Sequence, residues 1–310
     1  MGGRRVGSGG SSADVLGFSE STFALLRDLI AQRTGVHFSN DKRDLLADKL
    51  ADLLAARGMT SYLDFYYLLR YDADAAPHWM ELVDRLAVPE TYFWRQPDQV
   101  LAVTRVLAPQ HFARRPGTPF RIWSAACCTG EEPLSIAIAL SEAGLLERHP
   151  FDIVASDASA AMIERARQGV YRERSFRALS PELRARYFRE ESHGWRIDPD
   201  LHRRVRWTVA NIVDRDEVMR LASADVVFCR NVLIYFAEET VERVARVFAD
   251  AMPDDAHLCL GASESLTRTS TAFELVEVGG AFMYTKGGSR NGTAPHAARR
   301  VASGDHSATR

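Results

Sequence analysis

The sequence predicts an α/β protein in which a small all-helical domain precedes a mostly parallel, doubly wound sheet. Apolar residues recur with a period of about 3.6 between residues 18 and 86, which predicts helices. Beyond residue 119, strand-like runs alternate with helical patterns, which is typical of helices covering both faces of a parallel sheet. The last two runs are separated only by Gly279 and Gly280, which indicates a terminal antiparallel hairpin.

The helical domain divides into four segments. The first breaks at Gly35 and the second at Gly58, because glycine readily adopts the left-handed conformation found at helix C-termini. The second opens at Ser39 or Asn40, which are both good capping residues. Apolar positions on the first three helices are Phe23, Leu26, Leu29, Ile30, Leu46, Leu50, Leu53, Leu54, Tyr62, Phe65, Tyr66 and Leu69, and the fourth helix covers His78–Leu86.

An acidic stripe lies on the second helix, opposite its leucine face. It consists of Asp41, Asp44, Asp48 and Asp52. A charged run at helical spacing is ordinarily a solvated face. The alternative is a face that docks on a basic partner, and the sequence leaves both interpretations open.

The second half of the chain supplies the strands. Strand-like runs cover Phe120–Ser124, Phe151–Ser156, Val205–Val209, Asp225–Cys229, His257–Gly261, Phe273–Val278 and Ala281–Thr285. Helical patterns between them include Pro133–Ala143, Ala160–Gln168 and Glu239–Met252. The segment 171–204 is too long for a plain crossover connection, so we expect a small subdomain to be inserted there.

These patterns divide the chain into consecutive regions. We expect a helical domain at 14–88, a linker and first helix at 89–118, and an α/β domain at 119–286 with the insert at 171–204. The tails 1–13 and 287–310 are rich in Gly, Ser, Ala and Arg and lack apolar periodicity. We therefore predict that both tails are disordered.

The composition is ordinary for a folded, water-soluble protein, with 310 residues of which 46% are hydrophobic and 26% charged. A net charge of −2 argues against general binding to nucleic acid. No apolar run approaches the roughly 20 residues that span a bilayer, and the N-terminus lacks the apolar core of a secretory signal. The four cysteines have neither zinc-site nor redox spacing, which favours reduced thiols, no metal site and a cytoplasmic location. We also expect a monomer.

The string RIWSAACCTGEEPLSIAIAL, residues 121–140, predicts a strand, a turn of small residues and a helix that begins near Pro133. Small side chains let a ligand approach the backbone at the carboxyl edge of a doubly wound sheet. A dinucleotide site would need several glycines here, whereas this loop has only Gly130, followed by Glu131 and Glu132. Two carboxylates suit a cationic ligand; the alternative is that they only favour the helix N-terminus.

Polar residues also follow two other strands. Asp157 ends the second strand, where a carboxylate can accept hydrogen bonds from two ribose hydroxyls or, alternatively, cap the next helix. The run VVFCRNVLIYF places Arg230 and Asn231 at the end of a central strand, with Tyr235 shortly after. An arginine beside an amide and a phenol can orient a carboxylate by charge-assisted hydrogen bonds.

Several of these strings together resemble one family, the chemotaxis receptor methyltransferases (CheR). They are, in chain order, PETYFWRQP, SAACCTGEEPLSIAIAL, ASDAS followed by ARQGVYRE, VVFCRNVLIYF and LCLGASESL. The resemblance runs from Phe18 to Lys286. It implies an N-terminal helical domain, a Rossmann-like sheet that binds S-adenosylmethionine and yields S-adenosylhomocysteine, and an insert that is β-rich.

The resemblance also implies the cofactor-binding positions. They are Thr91, Arg95, Ala126, Glu132, Asp157, Asn211, Ile212, Arg230 and Asn231. Thr91 and Arg95 are similar to linker residues that hold the methionine carboxylate of the cofactor. Glu132 resembles the contact to its amino group, Asp157 the ribose ligand and Asn211 the adenine contact.

The resemblance implies that Arg230 and Asn231 flank the sulfonium, and that Arg230 and Tyr235 are catalytic residues that position a glutamate carboxylate. That carboxylate is already ionised at neutral pH, so we expect no general base. The implied activity is methyl-ester formation on glutamates in the cytoplasmic helical bundle of a chemoreceptor or a related signalling protein. The alternatives are a signalling module with weak or no transfer, and a methyltransferase for a non-receptor protein or a small molecule.

Three departures from the family pattern affect these expectations. Pro89 stands where the family usually has Asn, so one linker contact to the cofactor is expected to be absent. The acidic stripe replaces an arginine-rich face seen in members that dock on receptor bundles, which leaves the protein substrate open. The insert is short, so we expect the enzyme not to depend on a receptor's C-terminal tether peptide.

Overall fold

The computed structural model describes residues 17–267 and 272–286. The tails predicted to be disordered, 1–13 and 287–310, lie outside the described residues. The chain divides into two compact units, Met1–Val88 with Tyr235–Ala237, and Pro89–Ile234 with Glu238–Arg310. No helix among the described residues is long and apolar enough to cross a membrane.

The first unit is all-helical. Its elements are α1 (Glu20–Thr34), a 3-10 turn (Asn40–Lys42), α2 (Arg43–Ala55), α3 (Tyr62–Tyr71) and α4 (Ala76–Leu86). The Ser19 hydroxyl caps α1 by accepting a hydrogen bond from the Thr22 amide, and Gly35 ends the helix in the left-handed conformation. Leu26, Leu50 and other apolar residues of the predicted faces form the buried core of this unit.

Glycine is required at position 35 for a second reason. A Cβ there would lie 2.6 Å from the Phe236 ring. The amide of His37 donates to the carbonyl of Tyr235 at 2.8 Å, and Val36 forms a β-bridge with Phe236. These backbone contacts explain why a three-residue segment that is distant in sequence groups with the helical unit.

The acidic stripe, which begins in the 3-10 turn and continues along α2, lies in solvent. All four of its aspartates are exposed, while Leu46 and Leu50 on the opposite face are fully buried. Asp52 forms an ion pair with Arg85, and Asp44 is paired with its neighbour Arg43 at 3.3 Å. Exposed ion pairs of this kind contribute about 0–1 kcal/mol, so the stripe has little effect on stability.

Among the described residues, the second unit contains a sheet of seven strands, which are β1 (Phe120–Ala125), β2 (Phe151–Asp157), β6 (Val205–Val209), β7 (Val226–Cys229), β8 (His257–Cys259), β9 (Phe273–Val278) and β10 (Ala281–Lys286). Their order in the sheet is β6-β2-β1-β7-β8-β10-β9. The first five of the sheet order pair in parallel, and β10 is antiparallel to both β8 and β9. The predicted doubly wound fold with a terminal hairpin is therefore confirmed. The chain order reverses between β1 and β7, where such sheets bind ligands.

Helices connect these strands. They are α5 (Asp98–Ala102), a π-helical turn (Val103–Leu107), α6 (Ala108–Arg114), α7 (Glu131–Glu142), α8 (Ala160–Gln168), α10 (Pro199–His202), α11 (Arg215–Leu221) and α12 (Glu238–Ala251). Every residue of α7 from Pro133 to Leu140 is buried, so this helix is enclosed on all sides and fixes the loop that precedes it.

The insert forms the predicted small β-subdomain. Its strands β3 (Val170–Tyr171), β4 (Phe188–Glu191) and β5 (Gly194–Ile197) make an antiparallel sheet in the order β3-β5-β4, with α9 (Pro181–Tyr187) and a 3-10 turn (Glu173–Phe176). The rings of Phe93, Phe176 and Phe188 pack against one another with centroids 4.9–5.5 Å apart. This aromatic cluster joins the insert to the linker that leads into the sheet.

Candidate active site

Polar residues follow four parallel strands at one edge of the large sheet. The strand register places Ala125 of β1 opposite Ser156 of β2 and Cys229 of β7, and Asp157 of β2 opposite Val209 of β6. The loops after these strands therefore begin side by side. The structure thereby places Ala126, Glu132, Asp157, Asn211, Ile212, Arg230 and Asn231 at the same carboxyl edge.

The backbone of these loops is strained. Among the described residues, the non-glycine residues with positive φ are Trp94 (65°), Gln96 (48°), Ala126 (57°), Cys128 (52°) and Asn231 (59°). All five lie in the linker or in the loops after β1 and β7. Such conformations cost on the order of 1–3 kcal/mol each and cluster at functional sites, since surrounding contacts must hold them.

Asp157 holds the strained loop after β1. Its carboxylate accepts hydrogen bonds from the Cys128 amide and from the Ser159 amide, both at 2.9 Å. The N-cap of α8 is Ser159, whose hydroxyl accepts from the Met162 amide. The alternative role of Asp157 as the cap of that helix is therefore wrong.

The two consecutive glutamates of this loop have different surroundings. Glu131 is buried and accepts hydrogen bonds from the hydroxyls of Thr129 at 2.6 Å and Ser175 at 3.0 Å, which ties the loop to the insert. Glu132 accepts from the Ser124 hydroxyl at 2.7 Å and keeps 19% of its side chain exposed. Burial raises the pKa of both carboxyls; the nearby Arg230 partly offsets this for the pKa of Glu132. Neither glutamate merely favours the helix N-terminus.

Arg230 lies at the centre of the edge, with a side chain that is 2% exposed. Its Nη2 donates to the carbonyl of Arg95 at 2.5 Å and to the Gln96 side-chain oxygen at 3.3 Å. Its Nε is 3.5 Å from a carboxylate oxygen of Glu132 and makes no hydrogen bond among the described residues. A buried guanidinium with an unsatisfied N–H beside a half-buried carboxylate is typical of a ligand-binding edge.

Two family models match the chain. The model described as the CheR methyltransferase SAM-binding domain matches residues 89–281, and the one described as the CheR methyltransferase all-alpha domain matches residues 21–87. The chain belongs to the CheR methyltransferase family. The cofactor of its α/β domain is S-adenosylmethionine, as the resemblance predicted.

Named relatives cover most of the chain. Chemotaxis protein methyltransferase 2 of Vibrio cholerae is 32% identical over 259 residues, which is 83% of this chain and 90% of the relative. The chemotaxis protein methyltransferase of Salmonella typhimurium is 33% identical, with 84% and 89% covered. That of Escherichia coli is 31% identical, with 84% and 90% covered. This chain is thus similar to these proteins across both of its units.

The donor set at this edge fits the CheR cofactor. S-adenosylmethionine carries an ammonium, a sulfonium and ribose hydroxyls, which carboxylates bind well. Glu132 and Asp157 supply carboxylates, while Gly130 lets the loop pass close to Trp207, since a Cβ there would lie 2.7 Å from that ring. In the same place, the Nε of Arg230 makes no hydrogen bond within the part of the chain that the structure describes.

Four positions named from the CheR resemblance make contacts that are local in sequence or lie in the helical unit. Thr91 is half-buried, and Arg95 donates to the Glu90 carbonyl at 2.6 Å while its guanidinium lies 5.5 Å from the centre of the Tyr92 ring. The Asn211 side-chain oxygen accepts from the Val213 amide at 3.1 Å. Tyr235 ends a 3-10 turn (Leu233–Tyr235) and groups with the helical unit.

Sequence reasoning missed several residues that shape this CheR site. Gln96 and Ser124 contact Arg230 and Glu132 respectively, and Ser175 of the insert contacts Glu131. The signal for Gln96 was already present in the quoted string PETYFWRQP. Ser175 gave no such signal, because its contact depends on how the insert folds back onto the loop.

Proposed function

We propose that this CheR methyltransferase transfers the methyl group of S-adenosylmethionine to glutamate side chains of a chemoreceptor-type signalling protein, forming methyl esters. The observation that carries the proposal is the buried Arg230–Glu132 pair at the strained carboxyl edge of β1 and β7. The names of the relatives, which are chemotaxis protein methyltransferases, support the class of substrate.

We assign the cofactor contacts to the residues at this edge. Glu132 would bind the amino group of the cofactor, since its negatively charged side chain remains 19% exposed at this edge. Asp157 would bind the ribose, with Asn211 and Ile212 beside the adenine. Thr91, Arg95, Ala126 and Asn231 would line the rest of the site. Burial of these groups would strengthen their interactions, because water is excluded.

The chemistry requires little acid–base assistance. When bound, S-adenosylmethionine supplies a methyl group that its sulfonium has already activated. A glutamate carboxylate has an ordinary pKa of about 4.3 and is therefore ionised at neutral pH. The protein has to desolvate this nucleophile and hold it in line, and orientation of this kind can contribute roughly 7–11 kcal/mol.

Arg230 and Tyr235 are the residues we propose for this positioning. The buried Nε of the Arg230 guanidinium makes no hydrogen bond among the described residues, and the guanidinium would donate charge-assisted hydrogen bonds to an incoming carboxylate. The phenol of Tyr235 would donate a second hydrogen bond to that carboxylate. The partner would be the helical bundle of a receptor or a related protein, met by a face of the helical unit. The exposed acidic stripe on that unit favours a partner with a basic patch.

Methyl-labelled cofactor and a panel of receptor cytoplasmic fragments test the proposal. We expect base-labile label on at least one fragment, and loss of that label when the modified glutamates are replaced by alanine. Arg230→Lys should lower transfer by at least about tenfold while changing product affinity less, because lysine lacks the planar fork of arginine. The matched control is Arg206→Lys on β6, whose side chain is 66% exposed.

Two results would contradict the proposed reaction, and a third would contradict the role assigned to Arg230. Label that survives base treatment would place the methyl group on nitrogen or sulfur rather than on a carboxylate. Label on no receptor fragment, from a protein that binds the cofactor normally, would favour a different protein substrate. If Arg230→Lys lowered transfer and affinity by the same factor, Arg230 would contribute to cofactor binding alone.

A further inference from the structure

Glu264 makes an unusual set of contacts for a residue outside the assigned site. Its carboxylate accepts hydrogen bonds from four backbone amides, those of Asn231 (2.7 Å), Val232 (2.9 Å), Leu233 (2.7 Å) and Gly261 (2.7 Å). Three of these donors are consecutive and follow Arg230 directly. Successive amides that converge on one anion form a nest, and here the anion belongs to the protein itself.

The turn after β8 brings this carboxylate into place. The Glu264 amide donates to the carbonyl of Gly261 at 2.9 Å, which closes a tight turn directly beyond the strand. Because β7 and β8 are parallel neighbours, their turns meet at the same edge of the sheet. A Cβ at Gly261 would lie 2.5 Å from the Asn231 side-chain nitrogen and 2.8 Å from a Glu264 carboxylate oxygen. Position 261 therefore has to be glycine for the two turns to approach.

The turn that Glu264 holds is strained. Asn231 has a φ of 59°, a left-handed conformation that is unfavourable for a residue with a side chain. Hydrogen bonds to a charged acceptor are stronger than those between neutral groups, so the four bonds to the Glu264 carboxylate maintain this conformation. An amide side chain in its place would present an N–H group to backbone N–H groups and would repel part of the turn.

We propose that Glu264 is a positioning residue for methyl transfer, which fixes the backbone turn that carries Arg230 and Asn231. It acts through these residues and does not touch the substrate. The inference rests on the proposed function for the roles of Arg230 and Asn231. It adds a residue that the family resemblance did not assign, from a loop whose sequence, LCLGASESL, contributed only to recognition.

Kinetics and product binding of Glu264→Gln and Glu264→Asp test this role. For Glu264→Gln we expect kcat to fall at least about tenfold, the Kd of S-adenosylhomocysteine to rise several-fold, and KM for the receptor fragment to stay within about twofold. Glu264→Asp keeps the charge and should recover part of the lost kcat. The matched control is Glu274→Gln, an exposed carboxylate on β9 of the same sheet, which should leave all three values unchanged.

The folded state of each variant is checked by circular dichroism and by its unfolding midpoint. If Glu264→Gln does not fold, Gly261→Ala perturbs the same turn from the other side and should give the same loss of kcat. Wild-type kcat and product affinity in a folded Glu264→Gln, or in Gly261→Ala when Glu264→Gln is unfolded, would overturn the proposal. If the wild-type protein methylates no receptor fragment, the proposed function fails, and the product affinity of Glu264→Gln still decides the role of Glu264.

Discussion

Removal of Arg230 from its pair with Glu132 should destabilise the α/β unit strongly. The arginine side chain is 2% exposed and the glutamate 19%, so Arg230→Met would leave a largely buried carboxylate without its cation. Breaking a buried pair in this way costs about 3–5 kcal/mol. The variant also loses the hydrogen bonds that Arg230 donates to Arg95 and Gln96. In a domain of this size we expect the unfolding midpoint to fall by about 6–20 °C.

The stability lost in Arg230→Met should depend on Glu132 and on pH. In a Glu132→Gln background the cost of Arg230→Met should shrink by about 0.5–3 kcal/mol, because no buried charge is left behind. Burial raises the pKa of Glu132, and Arg230 is the main group that opposes this rise. A carboxyl whose pKa is raised on folding favours the folded state at low pH and loses that contribution as pH rises. The deficit of Arg230→Met should therefore be larger near about pH 8 than near about pH 5.

Urea unfolding of the four proteins of this double-mutant cycle, at both pH values, measures these quantities. The matched control is Arg206→Met, which breaks an exposed pair with Asp152 and should cost less than about 1 kcal/mol. An Arg230→Met variant that is as stable as this control would refute the reasoning. The reasoning would also be refuted if Arg230→Met cost the same free energy of unfolding in the wild-type and in the Glu132→Gln backgrounds.

Three further predictions concern the loop after β1 and the insert. Asp157→Ala should weaken S-adenosylhomocysteine binding at least tenfold, which is about 1.4 kcal/mol by calorimetry. The variant removes the carboxylate and releases the Cys128 amide, and an unchanged affinity would reject the ribose assignment. Burial raises the pKa of Glu131 above 4.5, so the wild-type protein should lose stability relative to Glu131→Gln as pH rises above that value. A difference in unfolding midpoints that does not change with pH would contradict this prediction. A receptor tether peptide should show no binding to the insert in a direct titration, and micromolar affinity, about −8 kcal/mol, would contradict the prediction made from its length.

The strand and helix pattern was readable from the chain because it depends on local periodicity. Val205–Val209, Ala160–Gln168 and Phe273–Val278 have the predicted bounds. Each is followed within two residues by a turn-favouring Asn or Gly. The run predicted as His257–Gly261 ends at Cys259, because Gly261 belongs to the turn closed by Glu264. The insert was located by its length, but its three strands were not, because they are only two to four residues long and pair only after the segment has folded.

The sequence by itself determined the order of elements, the family and which loops carry polar residues, since motifs and periodicity are properties of neighbouring residues. Tertiary structure decided how those polar groups are partnered. The loop residues alone left Glu131 and Glu132 equivalent, and the family resemblance assigned a role to Glu132 only. The fold turns Glu131 toward Ser175 of the insert and Glu132 toward Arg230. Glu264 was part of a recognised string without a role, because its four donors come from turns that follow two different strands. Contacts between distant segments depend on the register and packing of the sheet, which no local pattern encodes.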